Sequence, residues 1–232
     1  RLTQRRQQAG DVAELDVARV QTEVAATESE ALALQRQQAL LANALAASAD
    51  PALGLLLGKR MHVSAYGMLG YTLLASRNLG EALRLAIAHP ALLGTYFRLE
   101  LQTAVDEVRL SASGYRYDPT LSLFNSELCL ASLLTVVQDL LGESVRPRRL
   151  LLAYPAPAHA ASYSEKLGCP VEFNAECNAL CFNPTLLSRP LPLADPVSCQ
   201  HGLLQCLQLE AQYHRRQDLR EQIRQHLANP NV

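Results

Sequence analysis

The sequence predicts an α+β fold in which N-terminal helices pack with a mainly antiparallel sheet, and three observations lead to that prediction. Residues 50–88 read as three short helices separated by turn signals. Two segments that alternate apolar and polar residues follow across a short gap, as the strands of an antiparallel hairpin do. With the segments that follow the hairpin, the order after the three helices is ββαβαβ, and the chain ends in helices. Hairpin-paired strands with helices on one face are typical of the α+β class.

Cap and turn residues divide the first region into its three helices. Asp50-Pro51 is a strong helix start, because Asp caps a helix N-terminus and Pro is tolerated at the first helical position. Leucines at helical spacing follow, and Gly58 ends the turn. A second apolar run extends from Tyr66 to Leu74, and residues 76–81 read as a loop and a new N-terminus before the third helix.

Period-two alternation predicts the strands. The hairpin comprises Thr95 to Gln102 and Asp106 to Tyr115, whose apolar faces are separated by the four residues TAVD. A long, largely buried helix runs from Leu123 to Glu143 and is closed by Gly142. The segments that follow are a third strand in VRPRRLLLAYP, a short helix in ASYSEKLG, and a final strand or strand pair in VEFNAECNALCFN.

Composition limits the class of protein. The 232 residues suffice for one well-cored domain plus an appendage, or for two small domains, and 49% hydrophobic with 19% charged residues is ordinary for a globular chain. The formal net charge of −1 gives no basic field, so this chain alone should bind DNA poorly. No apolar run approaches a membrane span and the polar start is unlike a signal peptide, so we expect no membrane partner and a cytoplasmic protein. Because the chain begins with Arg, we expect a truncated product.

The six cysteines do not form a metal or disulfide pattern. None of them makes C-x-x-C, and the three closest are spaced C-x7-C-x3-C in a segment that alternates like a strand. Free cysteine behaves as a small hydrophobic residue. We therefore expect reduced, mostly buried thiols and no metal site.

Several blocks in a fixed order resemble one known family. They are DPALGL, a basic pair, S-x-x-G-x-x-G-Y and S-x-x-L-G-E-A-L, followed by LGCPVEFNAECNALCF and, from Pro184 to Pro196, PTLLSRPLPLADP. This order resembles the N-terminal sensory domain of one branch of AraC-type bacterial transcription regulators, often labelled arabinose-binding-like. The matching blocks cover roughly Leu40 to Pro196.

The resemblance implies a domain organisation and partners. It implies a helical lead-in over residues 1–47, an effector-binding domain over 48–196, and, over 197–232, a linker and dimerisation helix with the start of a truncated helix-turn-helix domain. A small-molecule effector, a homodimer and DNA binding only through the missing C-terminal domain follow from the family. The dimer interface is expected at Leu203, Leu204 and Leu207.

A second resemblance concerns the N-terminal region alone. GDVAELDVARVQTEVA is also similar to the periplasmic helical hairpin of outer-membrane efflux proteins. Under this alternative, residues 10–46 belong to a helical scaffold or interaction protein related to efflux components. Composition alone makes such Ala- and Gln-rich helices converge, so the sensory-domain interpretation is preferred.

A nucleophile and a base in one pocket would contradict the regulator interpretation. The sequence contains no G-x-S-x-G, G-x-x-x-x-G-K-[ST], H-E-x-x-H or G-x-G-x-x-G, and its six histidines are scattered singly. We therefore expect no enzymatic activity, no catalytic residue and no cofactor.

A ligand pocket needs apolar walls and a few fixed polar groups, and the aromatic residues are concentrated where they could provide them. Arg98 alternates with Phe97, so at most one of the two can face the pocket. Glu127 lies within an apolar helix, and either a buried or a solvated position fits its spacing. Arg98 or His62 would contact an anionic effector. The candidate ligand-binding residues are Tyr66, Tyr71, Tyr96, Phe97, Arg98, Phe124, Glu127 and His62.

Overall fold

The computed structural model describes the backbone of residues 50–228 and the side chains of residues 50–215. Within this part of the chain there are seven α-helices, five strands and three short 3-10 turns. The helices are α1 (Leu53–Gly58), α2 (Gly67–Leu74), α3 (Leu79–Ala88), α4 (Pro90–Leu93), α5 (Ser122–Leu141), α6 (Ala161–Leu167) and α7 (Pro196–Ala228). The strands are β1 (Arg98–Thr103), β2 (Val108–Ser113), β3 (Arg149–Leu152), β4 (Val171–Phe173) and β5 (Asn178–Phe182). The 3-10 turns are Val63–Tyr66, Pro119–Leu121 and Pro184–Ser188.

The five strands form one mixed sheet in the order β1-β2-β5-β3-β4. Every neighbouring pair is antiparallel except β3 and β4, which run parallel and are connected through α6. Leu110 of β2 pairs with Leu180 of β5, which pairs in turn with Leu150 of β3. All three leucines are buried, so this register builds an apolar row across the centre of the sheet.

The other face of the sheet is more polar towards its edges. Arg98, Glu100 and Gln102 of β1 are exposed there. Arg149 of β3 makes two hydrogen bonds to the carboxylate of Glu107, with N···O distances of 3.0 and 3.1 Å. One face of the sheet therefore packs on the helices and the other carries charges, as expected for an antiparallel sheet with one layer of helices.

Helix α5 is the centre of the apolar core. It contacts α1 on one side and strands β2 and β5 on the other, and twelve of its twenty residues are buried. It ends at Gly142, which adopts the left-handed conformation with φ 66°. The helix is also long and apolar enough to span a membrane, but 56% of that apolar window is buried inside the fold, as in the core helix of a folded domain.

Two glycines bring α1 unusually close to α5. A methyl group added at Gly58 would lie 2.6 Å from both Ala131 Cβ and the Leu128 carbonyl oxygen. At Gly54 it would lie 2.7 Å from Glu127 Cβ. Glycine is thus required at both positions for steric reasons, because the two helix backbones approach to a distance that leaves no room for a side chain.

The structure confirms the predicted α+β class and the β1–β2 hairpin. The predicted final strand or strand pair is a pair, β4 and β5, separated by a turn in which Asn174 has φ 57°. Residues 95–97 precede β1, so the predicted first strand begins too early. The predicted lead-in over residues 1–47 lies outside the described residues.

Residues 48–212 form one compact unit, of which the structure describes residues 50–212. The sequence suggested two helical segments after Asp195, with the second beginning after Tyr213. In the structure α7 is one continuous helix from Pro196 to Ala228. Asp195 caps its start through hydrogen bonds to the backbone N–H groups of Val197 and Ser198.

We predict that Gly58→Ala destabilises the fold, although alanine is the better helix former by about 1 kcal/mol. The added methyl group must displace backbone atoms of α5, and overpacking of this kind costs about 1–3 kcal/mol. The free energy of unfolding from urea titration is the measurement, with Lys59→Ala, at the next and exposed position, as the control. A more stable Gly58→Ala protein would show that the helices are not in close contact.

Candidate functional site

A pocket of about 90 Å³ lies between α5, the 3-10 turn before α2, and the segment that leads into β1. Its walls are mainly aliphatic and aromatic. The lining residues are Met61, Tyr66, Leu93, Gly94, Thr95, Tyr96, Phe97, Leu99, Asn125, Leu128, Cys129, Ser132 and Leu133.

Local backbone features aim these side chains at the pocket. Residues 125, 128, 129, 132 and 133 recur at intervals of three and four, so they share one face of α5. On the opposite wall, Gly94 ends α4 in the left-handed conformation with φ 60°. This turn redirects the chain into an extended segment, so that Phe97 and Leu99 both reach the pocket while Arg98 between them is exposed.

The few polar groups of the pocket are held by hydrogen bonds. Asn125 is only 6% exposed, and its amide nitrogen donates to the Tyr115 hydroxyl oxygen at 2.8 Å. The Ser132 hydroxyl donates to the Cys129 carbonyl at 2.8 Å. Thr95 accepts a hydrogen bond from the Phe97 backbone N–H at 3.2 Å. These bonds fix the orientation of the side chains that a bound molecule would meet.

Two titratable groups of the pocket, Cys129 and Tyr66, are kept uncharged at neutral pH by burial. Burial raises the pKa of the Cys129 thiol to about 12, an effect that hydrogen bonding with Thr95 only partly offsets. Burial also raises the pKa of Tyr66, and hydrogen bonding with Ser132 opposes that shift. In the described part of the chain, no Asp, Glu, Lys, Arg or His lines the pocket. The site is therefore apolar with neutral hydrogen-bonding groups.

A second buried polar cluster lies on another face of α5. Glu127 is 1% exposed. Its Oε1 accepts a hydrogen bond from the Tyr163 hydroxyl at 2.5 Å and lies 2.5 Å from His159 Nε2. The Tyr154 and Tyr163 hydroxyl oxygens are 3.1 Å apart. Burial and the hydrogen bond to Glu127 raise the pKa of Tyr163 well above its ordinary value. The cluster connects α5 to α6 and the loop before it.

The first part of α7 is attached to α2 and α3 along one face. Cys199, Gly202, Cys206 and Glu210 recur at intervals of three and four and form that face. The sulfur of Cys206 is 3.7 Å from the Thr72 hydroxyl oxygen, and a side chain at Gly202 would collide with Thr72.

His89 completes this attachment. His89 Nδ1 is 2.7 Å from Glu210 Oε2, and both side chains are largely buried. His89 follows the last residue of α3 and directly precedes α4, which leads into the pocket wall. The same residue therefore touches α7 and begins the segment that lines the pocket.

Another face of α7 presents apolar side chains to solvent. We define the linker stripe as Val197, Leu204 and Leu207, which are 62%, 53% and 49% exposed. Their spacing of seven and three residues places them on one side of the helix, away from the face that docks on α2. Leu203, which the sequence grouped with them, is half-buried at the border between the two faces.

The structure brings together only some of the residues that the sequence nominated for ligand binding. Tyr66, Tyr96 and Phe97 line the pocket. Glu127 belongs to the second cluster and not to the pocket. Of the two positions that its spacing allowed, buried or solvated, it occupies the buried one. Four further candidates lie outside the pocket: Tyr71 and Arg98, which are exposed, Phe124, which is half-buried, and His62, which is exposed and 3.1 Å from both carboxylate oxygens of Asp139.

Sequence reasoning missed the polar residues of the pocket, namely Thr95, Asn125 and Ser132. Asn125 and Ser132 interrupt an apolar helix at a spacing of seven residues, which places them on one face. The sequence alone shows that spacing, and it would have placed Asn125 and Ser132 on a different face of the helix from Glu127.

Comparison with known proteins gives three results. Residues 12–191 match the family model described as the arabinose-binding domain of AraC transcription regulators, N-terminal. The chain is 37% identical over 193 residues to the ornithine utilization regulator of Pseudomonas aeruginosa, covering 82% of this chain and 56% of that protein. It also resembles the crystal structure of the transcriptional regulator CdpR from Pseudomonas aeruginosa, with a TM-score of 0.60, 21% identity, and coverage of 74% of this chain and 58% of the other.

These results bear on the two resemblances. The chain spans little more than half the length of the regulators that it matches. The family match begins at residue 12, so it includes most of the segment that also resembled an efflux hairpin. None of these three matches supports the efflux alternative.

We predict that Tyr163→Phe lowers the free energy of unfolding by about 1–3 kcal/mol, because it leaves a buried carboxylate with one hydrogen-bond donor fewer. Thermal or urea unfolding monitored by circular dichroism measures the change. Tyr71→Phe removes the same atom from an exposed tyrosine and serves as the matched control. Equal stability of the two variants would contradict a structural role for the Glu127 cluster.

Proposed function

Because this chain belongs to the family of arabinose-binding N-terminal domains of AraC transcription regulators, we propose that it is the effector-sensing and dimerisation part of such a regulator. A small molecule enters the pocket on α5, and its binding is transmitted to α7, the helix through which two copies associate. DNA is bound through a C-terminal domain of the regulator, and the protein acts in the cytoplasm.

The observation that carries this proposal is the position of His89 between the pocket and α7. His89 contacts Glu210 of α7, and within four to eight residues the chain reaches Leu93, Thr95 and Phe97 in the pocket wall. A ligand that displaces this wall therefore acts on a segment whose first residue, His89, is hydrogen-bonded to Glu210 of α7.

Transmission requires that the ligand prefer one of two arrangements of α7. A ligand shifts such an equilibrium only by the difference between its affinities for the two states. Couplings of about 1–3 kcal/mol are typical of allosteric proteins. The described contacts between α7 and the rest of the domain include two thiol–hydroxyl contacts, Cys199 with Ser76 and Cys206 with Thr72, and the His89–Glu210 pair. Such contacts can be exchanged within that energy range.

Dimerisation is assigned to the linker stripe. Three large apolar side chains are exposed on the side of α7 that does not dock, and apolar residues at this spacing are typical of the surface by which two helices pair. A second copy of the same helix offers a matching stripe, as a twofold symmetric interface requires.

The names of the relatives indicate the physiological context only in part. One relative is called an ornithine utilization regulator, so amino-acid catabolism is one context in which the effector of this protein can be sought. The arabinose-binding description of the family does not by itself define the ligand of any one member.

We expect His89→Ala to loosen the docked part of α7. The substitution removes the buried partner of Glu210, so backbone amides of residues 197–212 should exchange with deuterium faster than in the wild type while those of α5 are unchanged. Hydrogen–deuterium exchange by mass spectrometry gives both readouts. His62→Ala is the control, because His62 is an exposed histidine that pairs with Asp139 of α5 and not with α7. Unchanged exchange in residues 197–212 would refute the coupling route.

We expect Leu204→Glu combined with Leu207→Glu to convert the dimer into a monomer, because carboxylates at the centre of the interface would be buried without partners. Sedimentation velocity measures the mass of the particle over a range of protein concentrations. Gln205→Glu combined with Leu209→Glu adds the same charge at exposed positions on a different side of α7 and should leave the dimer intact. A double variant at 204 and 207 that still sediments as a dimer would exclude the linker stripe as the interface.

A further inference from the structure

We infer that the pocket on α5 binds a small uncharged molecule, a compact apolar skeleton with one neutral hydrogen-bonding group such as an amide, carbonyl or hydroxyl, and not a charged amino acid. This inference rests on the proposed sensing function and specifies its ligand. It differs from what the name of the ornithine-related relative would suggest, because free ornithine carries two ammonium groups and a carboxylate.

Charge is the first argument. None of the thirteen residues that line the pocket bears a formal charge, and its thiol remains protonated because its pKa is raised to about 12. An ammonium or carboxylate group placed there would lose its hydration without gaining a counter-ion. Burial of an unpaired charge costs several kcal/mol in proteins, more than a ligand of this size can recover through apolar contacts.

Two charged groups that neighbour pocket residues along the chain are directed elsewhere. Glu127 lies on α5 between pocket residues 125 and 128, but its carboxylate is bound by His159 and Tyr163 in the other cluster. Arg98 lies between pocket residues Phe97 and Leu99, but its side chain is on the exposed side of β1. Neither group can neutralise a charged ligand without dismantling its present contacts or reversing the strand.

The polar groups that remain fit a single neutral function. Asn125 uses one amide N–H for Tyr115, so its carbonyl oxygen can accept from a ligand donor and its second N–H can donate to a ligand acceptor. The Tyr66 and Thr95 hydroxyl groups can donate to a ligand acceptor in exchange for their contacts with Ser132 and Cys129. An amide, lactam or alcohol satisfies these groups without introducing charge.

Volume sets the size of the molecule. An engineered cavity of about 150 Å³ holds the six carbon atoms of benzene, so a pocket of about 90 Å³ encloses roughly four non-hydrogen atoms. A five- or six-membered ring with one polar substituent meets the polarity requirement and is the upper limit of size, because it fills the enclosed part and reaches the opening beside Tyr96, which is half exposed.

The test compares two compounds with the same five-carbon skeleton. δ-Valerolactam is a neutral cyclic amide, and 5-aminopentanoate is its ring-opened zwitterion; ornithine is the third compound. Binding to the 232-residue protein is measured by ligand-observed NMR and by isothermal titration calorimetry. We expect the lactam to bind, and both charged compounds to bind at least about tenfold more weakly.

Two variants assign the binding to the pocket. Leu133→Trp fills the cavity and should abolish lactam binding. Leu123→Trp makes the same change on α5 at an exposed position and should leave it intact. Circular dichroism confirms that each variant is folded, and if Leu133→Trp does not fold, Ser132→Leu, which removes one polar group and adds volume, replaces it.

The outcomes separate this inference from the proposed function. Binding of 5-aminopentanoate or ornithine that Leu133→Trp abolishes would overturn the neutral-ligand inference while supporting effector sensing in this pocket. Lactam binding that persists in Leu133→Trp, or absence of binding by the lactam, would also overturn it. The proposed function would fail separately, through two other results. The wild-type protein would be a monomer, and His89→Ala would leave the deuterium exchange of α7 unchanged.

Discussion

The close contact between α1 and α5 is the constraint on which the rest of the domain depends. Because Gly54 and Gly58 let the two helix backbones approach, α5 is covered on one side by α1 and on the other by β2 and β5. A helix enclosed in this way has few positions at which polar side chains are tolerated unless they find partners. Among the polar residues of α5, Asn125 and Ser132 lie in the pocket and Glu127 lies in the second cluster, and the two places have a distinct character.

This division explains why one helix can serve both stability and recognition. Residues 125, 129 and 132 face a space that the protein does not fill, whereas Glu127 faces a space that is filled and hydrogen-bonded. The cluster fixes α5 relative to α6 and the sheet, so the pocket face is presented on a rigid support. Rigid support favours a site that discriminates by shape and hydrogen bonding, since little reorganisation is available to accommodate a poorly matched ligand.

Much of the fold could be predicted from the sequence because its signals are local. The cap at Gly142, the alternation in β1 and β2, and the apolar length of α5 each specify an element without reference to distant residues. The predicted cap at Asp50 was displaced: α1 begins at Leu53, and Asp50 instead accepts a hydrogen bond from the Ala52 N–H in the turn before the helix. The site could be predicted only in part. Tyrosines often line pockets, but their presence in the sequence does not show which pocket each one lines. Tyr66 and Tyr71 lie five residues apart on neighbouring elements, yet only the first points inward, and nothing local distinguishes them. Likewise the contact of His89 with Glu210 spans 121 residues and depends on where α7 docks, which no pattern in either segment encodes.

The edges of the sheet have a bearing on how copies of the molecule can meet. At one edge β4 has only three residues, and at the other β1 exposes Arg98, Glu100 and Gln102. Very short or charged edge strands discourage the backbone of another chain from extending the sheet. Growth by strand addition, a common route to aggregates, is thereby disfavoured at both edges, so any association between copies falls to helical surfaces rather than to extension of the sheet.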